Sequence, residues 1–318
     1  MIREKDGVHI QGKHKVVADS RNALGDINVV SHAHSDHVLK KDAENVVCSD
    51  LTAEIASKRF DIDIMHSDTH ESVELIPSGH ILGSSAALID NSVLYTGDVS
   101  MRDSAYLEGF KPVKAEELIV ETTYGIPAYR FPDQKEIEKS IMDWVNDNQG
   151  PLFLYGYSLG KAQKIQHLVQ KATDRPIVAH GSVKKMNDVI ESSTDLEFRA
   201  KAYSENRDVL EKDGIFIGPP GSFKADYMQK LVERTGGRTA GFSGWAVHSS
   251  MGWGKYDRSF PLSDHCDFDD LVELVKQVDP EKVYTNHGFD EAFASHLSRE
   301  LGYNARALKN NQASLTDF

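Results

Sequence analysis

Cysteine is nearly absent: Cys48 and Cys266 are the two in a chain of 318 residues. Two cysteines cannot build a disulfide framework, so a reducing, cytoplasmic setting is the expectation. No window approaches the ~18 consecutive apolar residues of a membrane-spanning helix, and no membrane partner is expected. Residues 1–11 carry charges and lack the apolar stretch of a secretory signal. Internal repeats, low-complexity tracts and long basic runs are missing too. A net charge of −13 counts against a nucleic-acid partner, because such binding is driven by Lys and Arg neutralising phosphates. The objection is limited. Bound metal ions add positive charge that residue counting omits, and a basic groove can sit on an acidic protein.

The first part of the chain reads as short strands rich in Val and Ile, at 8–10, 15–18, 27–31, 73–77, 86–89 and 93–96, with one helix at 52–59 behind a cap at Asp50. After residue 125 the texture changes to strands alternating with helices, the pattern of a parallel α/β sheet. The expected helices there are 134–146, 159–172, 183–191 and 224–235, and the strands 152–157, 177–179 and 215–217. Strands at 239–243, 258–262 and 282–285 and helices at 268–277 and 291–301 close the chain. This gives a strand-rich domain, 1–125 and 241–318, interrupted by an α/β insertion at 126–240.

The sharpest local signal is Ser31-His32-Ala33-His34-Ser35-Asp36-His37, after the apolar run at 27–30. Imidazole and carboxylate are the ligands that borderline divalent metals prefer. Four of them on one loop after a strand can converge on two ions, His32 and His34 facing one, Asp36 and His37 its neighbour. A single histidine here would read as a polar loop residue; this spacing does not. His80, in the Gly-flanked loop Ser78-Gly79-His80-Ile81-Leu82-Gly83, and Asp98, in Thr96-Gly97-Asp98, follow at further strand ends. Each alone is an ordinary turn residue, but loops at strand ends are where scaffolds present ligands. A carboxylate such as Asp98 can bridge two cations.

The order His32-x-His34-x-Asp36-His37, His80, Asp98 resembles the metallo-β-lactamase superfamily. Glu121-Thr122-Thr123-Tyr124-Gly125, Leu262-Ser263-Asp264-His265-Cys266-Asp267 and Asn286-His287-Gly288 are similar to the three further motifs of its β-CASP nucleases. Within that group, Leu159-Gly160-Lys161-Ala162-Gln163, Ala179-His180-Gly181 and Ser243-Gly244-Trp245 resemble the short branch described as DNA ligase-associated exonuclease or mRNA 3′-end processing factor-like protein. The resemblance implies an α/β protein, an αββα sandwich with a β-CASP-like insertion. It implies two Zn2+ ions, with Mn2+ the alternative: His32, His34, His80 and Asp98 on the first, Asp36, His37, Asp98 and His287 on the second. It further implies that Asp19 supports the ligand loop and that Glu121 and His265 pair beside the metals. Two positions depart from the pattern: Phe289 stands where many members have Glu, and Cys266 where Ala is common. Cys266 reads as a small buried residue rather than a ligand.

Such a site suits phosphodiester hydrolysis. Asp36 and Asp98 would position the attacking water, and His265, oriented by Glu121, would protonate the leaving oxygen. The expected substrate is single-stranded DNA or RNA, trimmed from an end, with repair or RNA-processing proteins as partners. Ser158 and Lys161, and Ser182 and Lys184, sit at strand-to-helix turns that can bind a phosphate, while Trp245 and Trp253 can stack on bases. Two rivals remain. A thioester or lactam hydrolase would share the ligand loop, though a small ester needs no covering domain. A non-catalytic scaffold would be expected to have lost ligands, and none is missing.

Overall fold

The structure, a computed structural model, describes residues 1–248 and 255–308. Trp253 lies outside the described residues. In chain order the elements are β1 (Ile2–Glu4), β2 (Val8–Gln11), β3 (Lys15–Ala18), β4 (Ile27–Val29), β5 (Ala43–Val47), α1 (Asp50–Phe60), β6 (Ile64–Ser67), β7 (Val73–Pro77), β8 (Ser85–Ile89), β9 (Val93–Tyr95) and β10 (Glu117–Glu121). Then come α2 (Gln134–Asp147), β11 (Leu152–Tyr155), α3 (Lys161–Ala172), β12 (Ile177–Ala179), α4 (Gly181–Ser193), β13 (Lys201–Ala202), β14 (Ile215–Gly218), α5 (Pro220–Phe223), α6 (Asp226–Thr235), β15 (Arg238–Phe242) and β16 (Arg258–Phe260). The last are α7 (Phe268–Val278), β17 (Lys282–Asn286), α8 (Asp290–Glu300) and β18 (Ala305–Ala307). No helix among the described residues is long and apolar enough to cross a membrane.

The chain forms two units. The first is Met1–Arg102, Gly109–Tyr129 and the segment from His265 onward; the second is Asp103–Glu108 and Arg130–Asp264. In the first unit one sheet has the order β1-β2-β3-β4-β5-β6 and another the order β18-β17-β10-β9-β8-β7. Each mixes antiparallel hairpins with parallel pairs. The second sheet is buried on both faces, and its strands divide their side chains by the period of two. On β8, Ala87 and Ile89 join Val16, Val29 and Ile10 of the first sheet, while Ala86 and Leu88 point the other way. On β10, Ile119 goes with the first group, and Leu118 and Val120 with the second. That second group is closed by Leu271, Leu274 and Val275 of α7 and Phe293 and Leu297 of α8. This is an αββα sandwich of metallo-β-lactamase type with a further α/β unit, as the sequence implied.

The second unit holds one all-parallel sheet, order β13-β12-β14-β11-β15-β16. On β11, Leu152 and Leu154 pack with Ile141, Ile165 and Leu168, and Phe153 and Tyr155 with Phe216, Met228 and Leu231. Because β15 and β16 extend this sheet, the unit continues to Asp264, past the break at 240 read from composition. Residue 266 is buried with its neighbours around α7, and burial holds the Cys266 thiol well above its ordinary value, as a small apolar residue. Trp245 is half-buried in the turn after β15.

Candidate metal centre and the Glu121–His265 pair

All the candidate ligands lie in the first unit. His32, His34, Asp36 and His37 follow β4, His80 sits between β7 and β8, Asp98 follows β9, Glu121 ends β10, and His287 follows β17. The loop needs little room at Gly97: a Cβ there would meet Ser31 Oγ at 2.6 Å, and φ is +54°, so glycine lets Asp98 approach the histidine loop.

His32, His34, His80 and Asp98 bring their donor atoms within 4.8 Å of one another. His34 Nδ1 is 3.1 Å from His32 Nε2 and 3.3 Å from His80 Nε2. Asp98 Oδ2 is 3.4 Å from His32 Nε2 and 3.5 Å from His80 Nε2. Four ligands about 2.0–2.1 Å from one tetrahedral zinc would lie roughly 3.3–3.4 Å apart, so these edges fit a cation of that size. Burial holds His32 and His80 below the ordinary imidazole value, His80 well below it. Both are thus neutral, the form that ligates metal.

The other oxygen of Asp98 turns elsewhere. Asp98 Oδ1 is 3.8 Å from His37 Nε2, and Asp36 Oδ2 is 3.6 Å from the same nitrogen. The His287 ring lies 5.7 Å from that of His37. Asp36 and His287 are exposed, forming the open side of this second set. Burial disfavours charge on His37, but Asp98, Asp19 and Asp36 surround it and push it up to about 10. The carboxylates demand positive charge beside His37 Nε2. A proton meets that demand, and so would a metal ion. Burial likewise raises Asp98, yet His37, His32 and His265 hold it well below the carboxylate range.

Asp19 is buried and ties the histidine loop together through hydrogen bonds. Its Oδ1 accepts from Ser31 N (2.7 Å), and its Oδ2 from Ser31 Oγ (2.5 Å), His37 Nδ1 (2.7 Å) and the Tyr95 hydroxyl (2.8 Å). Ser31 Oγ in turn lies 2.9 Å from His32 Nδ1. These partners keep a proton on Nδ1 of both imidazoles and turn both Nε2 atoms toward the centre. Arg59 Nη1 donates to Ala33 O at 2.9 Å, fixing the backbone between His32 and His34. Ser31 opens the histidine motif without a role of its own in the sequence reading, and Tyr95 and Arg59 carry no such signal; the folded contacts reveal all three.

Glu121 is buried and fully engaged. Oε1 accepts from His265 Nδ1 at 2.7 Å and Val99 N at 3.2 Å, and Oε2 from Thr123 N at 2.9 Å. The His265 ring is 4.6 Å from that of His80. Its Nδ1 is taken by Glu121. His287 takes φ +58°, a left-handed conformation uncommon for histidine. The Thr122 hydroxyl donates to its carbonyl and holds it there.

The turns of the second unit differ from their sequence reading at one residue. Lys161 does not reach solvent. Its side chain is 3% exposed, its Nζ 2.7 Å from Asp264 Oδ2 and donating to Leu262 O at 2.8 Å, with Lys164 pairing the other Asp264 oxygen at 2.9 Å. A lysine committed to a buried carboxylate cannot serve as an exposed phosphate ligand, so Lys161 leaves that set. Ser158 and Ser182 do meet, with hydroxyls 2.8 Å apart, and His180 Nδ1 is 2.8 Å from Ser182 Oγ. Lys184 is ion-paired with Asp188.

A three-imidazole, one-carboxylate set whose aspartate also faces a second group of side chains, on an αββα sandwich, is suited to hold a divalent metal. The profile of the Zn-dependent metallo-hydrolase RNA specificity domain matches residues 258–308. A probable DNA ligase of Opitutus terrae is 34% identical over 306 residues, covering 90% of this chain and 29% of that protein. An uncharacterised protein in the lig 3′ region of Acidianus ambivalens is 32% identical over 126 residues, 37% of this chain and 86% of that protein. A probable RNase of Methanocaldococcus jannaschii is 26% identical, covering 68% of this chain and 62% of that one. A solved structure of a protein of unknown function from Enterococcus faecalis superposes with a TM-score of 0.59 at 15% identity, covering 89% of this chain and 79% of that one, a likeness of fold. The chain belongs to the metallo-β-lactamase/β-CASP nuclease family. It spans less than a third of the Opitutus relative's length.

Proposed function

We propose that the protein is a two-metal phosphodiesterase that hydrolyses single-stranded DNA or RNA. The observation that carries this reading is Asp98, whose two oxygens divide between the His32/His80 set and His37, beside a Glu121–His265 pair. His32, His34, His80 and Asp98 would hold one Zn2+ or Mn2+, and His37, Asp36, His287 and Asp98 the other. Two such ions supply Lewis acidity, acidifying water and offsetting charge on the phosphate.

The chain's own residues do the rest. The exposed Asp36 carboxylate accepts a hydrogen bond from the attacking water and orients it. His265 keeps Nδ1 on Glu121 and gives the Nε2 proton to the leaving 3′-oxygen. Glu121 accepts three hydrogen bonds, so it stays an acceptor and fixes that tautomer. The exonuclease reading rests on the turns at Ser158 and Ser182, whose hydroxyls lie 2.8 Å apart and suit a terminal phosphate, with Lys184 adding charge. The relatives' names, DNA ligase and RNase, agree with a nucleic-acid substrate.

The experiment is an assay series with metal-loaded protein on end-labelled single-stranded and duplex DNA and RNA, with and without a 5′-phosphate, alongside a chromogenic thioester. Single strands bearing a 5′-phosphate should be cut fastest and a circular single strand slowly. Cleavage of the thioester and of no oligonucleotide would overturn the proposal.

A further inference from the structure

Arg102 ends the loop that begins at Asp98, and its guanidinium reaches the residues that follow His265. Nε donates to Asp270 Oδ2 at 2.6 Å, and the second arm pairs with Asp267. These two carboxylates already cap α7 for each other. Asp270 N donates to Asp267 Oδ1 at 2.9 Å, and Asp267 N to Asp270 Oδ2 at 3.3 Å, a reciprocal capping box. The start of α7 therefore has its partners without the arginine. What the fork adds is a bidentate tie between that helix and the Asp98 loop. The backbone runs with it: Cys266 N donates to Val99 O at 2.8 Å, one residue past each functional side chain. Asp267 is almost wholly buried, so the tie lies within the packed unit and not on a solvated surface.

We infer that Arg102 is a positioning residue for proton transfer: it fixes the backbone carrying His265 relative to Asp98, while Glu121 fixes the tilt of the ring. The inference rests on the reading of His265 as the proton donor. Reacting groups must be held within about 0.5 Å, and a misplacement near 1 Å can cost roughly 10²-fold.

The test uses the full-length, metal-loaded protein with Arg102→Met and Arg102→Lys, and with Asp270→Asn as a second way to cut the tie. On an oligonucleotide, Arg102→Met should lower kcat about 10–100-fold, with KM and bound metal unchanged and partial recovery in Arg102→Lys. The loss should be smaller on a nitrophenyl phosphodiester, whose leaving group needs less protonation, and should vanish in a His265→Ala background. A readout independent of activity is the downfield proton resonance of His265 Nδ1–H bonded to Glu121, identified by its absence in His265→Gln. It should broaden or shift in Arg102→Met and in Asp270→Asn. Equal losses on the two substrates, or an unchanged resonance with a lowered melting temperature, would reduce Arg102 to a helix staple and overturn the inference. Were the wild-type protein to cut no phosphodiester, the functional reading would fall, and the resonance would still decide the role of Arg102.

Discussion

Replacing Asp98 by alanine removes a side chain that faces both donor sets. Its Oδ2 stands 3.4 and 3.5 Å from His32 and His80, and its Oδ1 3.8 Å from His37. Structural zinc sites bind with about 10–16 kcal/mol, or roughly 2.5–4 kcal/mol per ligand across four ligands. Losing one ligand should then weaken each site by about 10²–10³-fold. His80→Ala should weaken one site by that factor and leave the other intact; Asp98→Ala should weaken both. The assay is a competitive-chelator titration, with metal counted by mass spectrometry after dialysis. Melting curves should agree with it, because an ion that binds the folded chain raises its stability with concentration. At a chelator strength that strips one equivalent from His80→Ala, Asp98→Ala should hold close to none. Equal residual metal in the two variants would refute the bridging role, as would loss of a single equivalent from Asp98→Ala.

The other predictions follow from the same geometry. His265→Ala should keep its metal and lose about 10²–10⁴-fold in rate on an oligonucleotide but much less on a nitrophenyl phosphodiester; matching losses would remove it as the acid. The folded pKa of His37 is raised to about 10 from 6.5. Its contribution to the metal-free protein is thus complete below 6.5 and disappears as pH climbs through 10. Metal-free melting temperatures should therefore fall across that window while metal-loaded ones stay flatter, and metal binding near pH 8 should release a proton; a metal-free protein that gains stability on the alkaline side would contradict this. Lys161→Ala, which takes one of two paired lysines from the buried Asp264 carboxylate, should cost about 3–5 kcal/mol in denaturant unfolding. It should leave 5′-phosphate preference unchanged, whereas Ser182→Ala and Lys184→Ala should reduce it, and a stable Lys161→Ala with altered preference would restore Lys161 to the phosphate set.

Much of the candidate centre was legible because its residues are chemically distinctive and cluster on short loops at strand ends. His32, His34, His80 and Asp98 stand out by type and spacing, and the fold draws their donor atoms together. Beyond Asp19, the surrounding hydrogen-bond partners were not legible. Ser31 and Tyr95 reach Asp19 across 12 and 76 residues, and serine or tyrosine at a strand end carries no signal of its own. Lys161 shows the converse error. A lysine at a strand-to-helix turn reads as a phosphate ligand until a carboxylate far along the chain, Asp264, turns out to claim it. Among the strands, β10 escaped the sequence reading. Its three apolar residues between glutamates are too few to show a period, yet it sits at the middle of its sheet and ends on Glu121. The cap of α1 is Ser49, not Asp50, because the Ser49 hydroxyl receives Thr52 N at 3.1 Å.

The central claim is that two ions act together on a phosphodiester. The most direct measurement is a titration of metal-free protein with Zn2+ or Mn2+, following oligonucleotide cleavage and bound metal in the same samples. Cleavage should stay near background through the first equivalent, rise with the second, and return to background on chelation. Full activity with one equivalent, or activity that survives exhaustive chelation, would contradict the account.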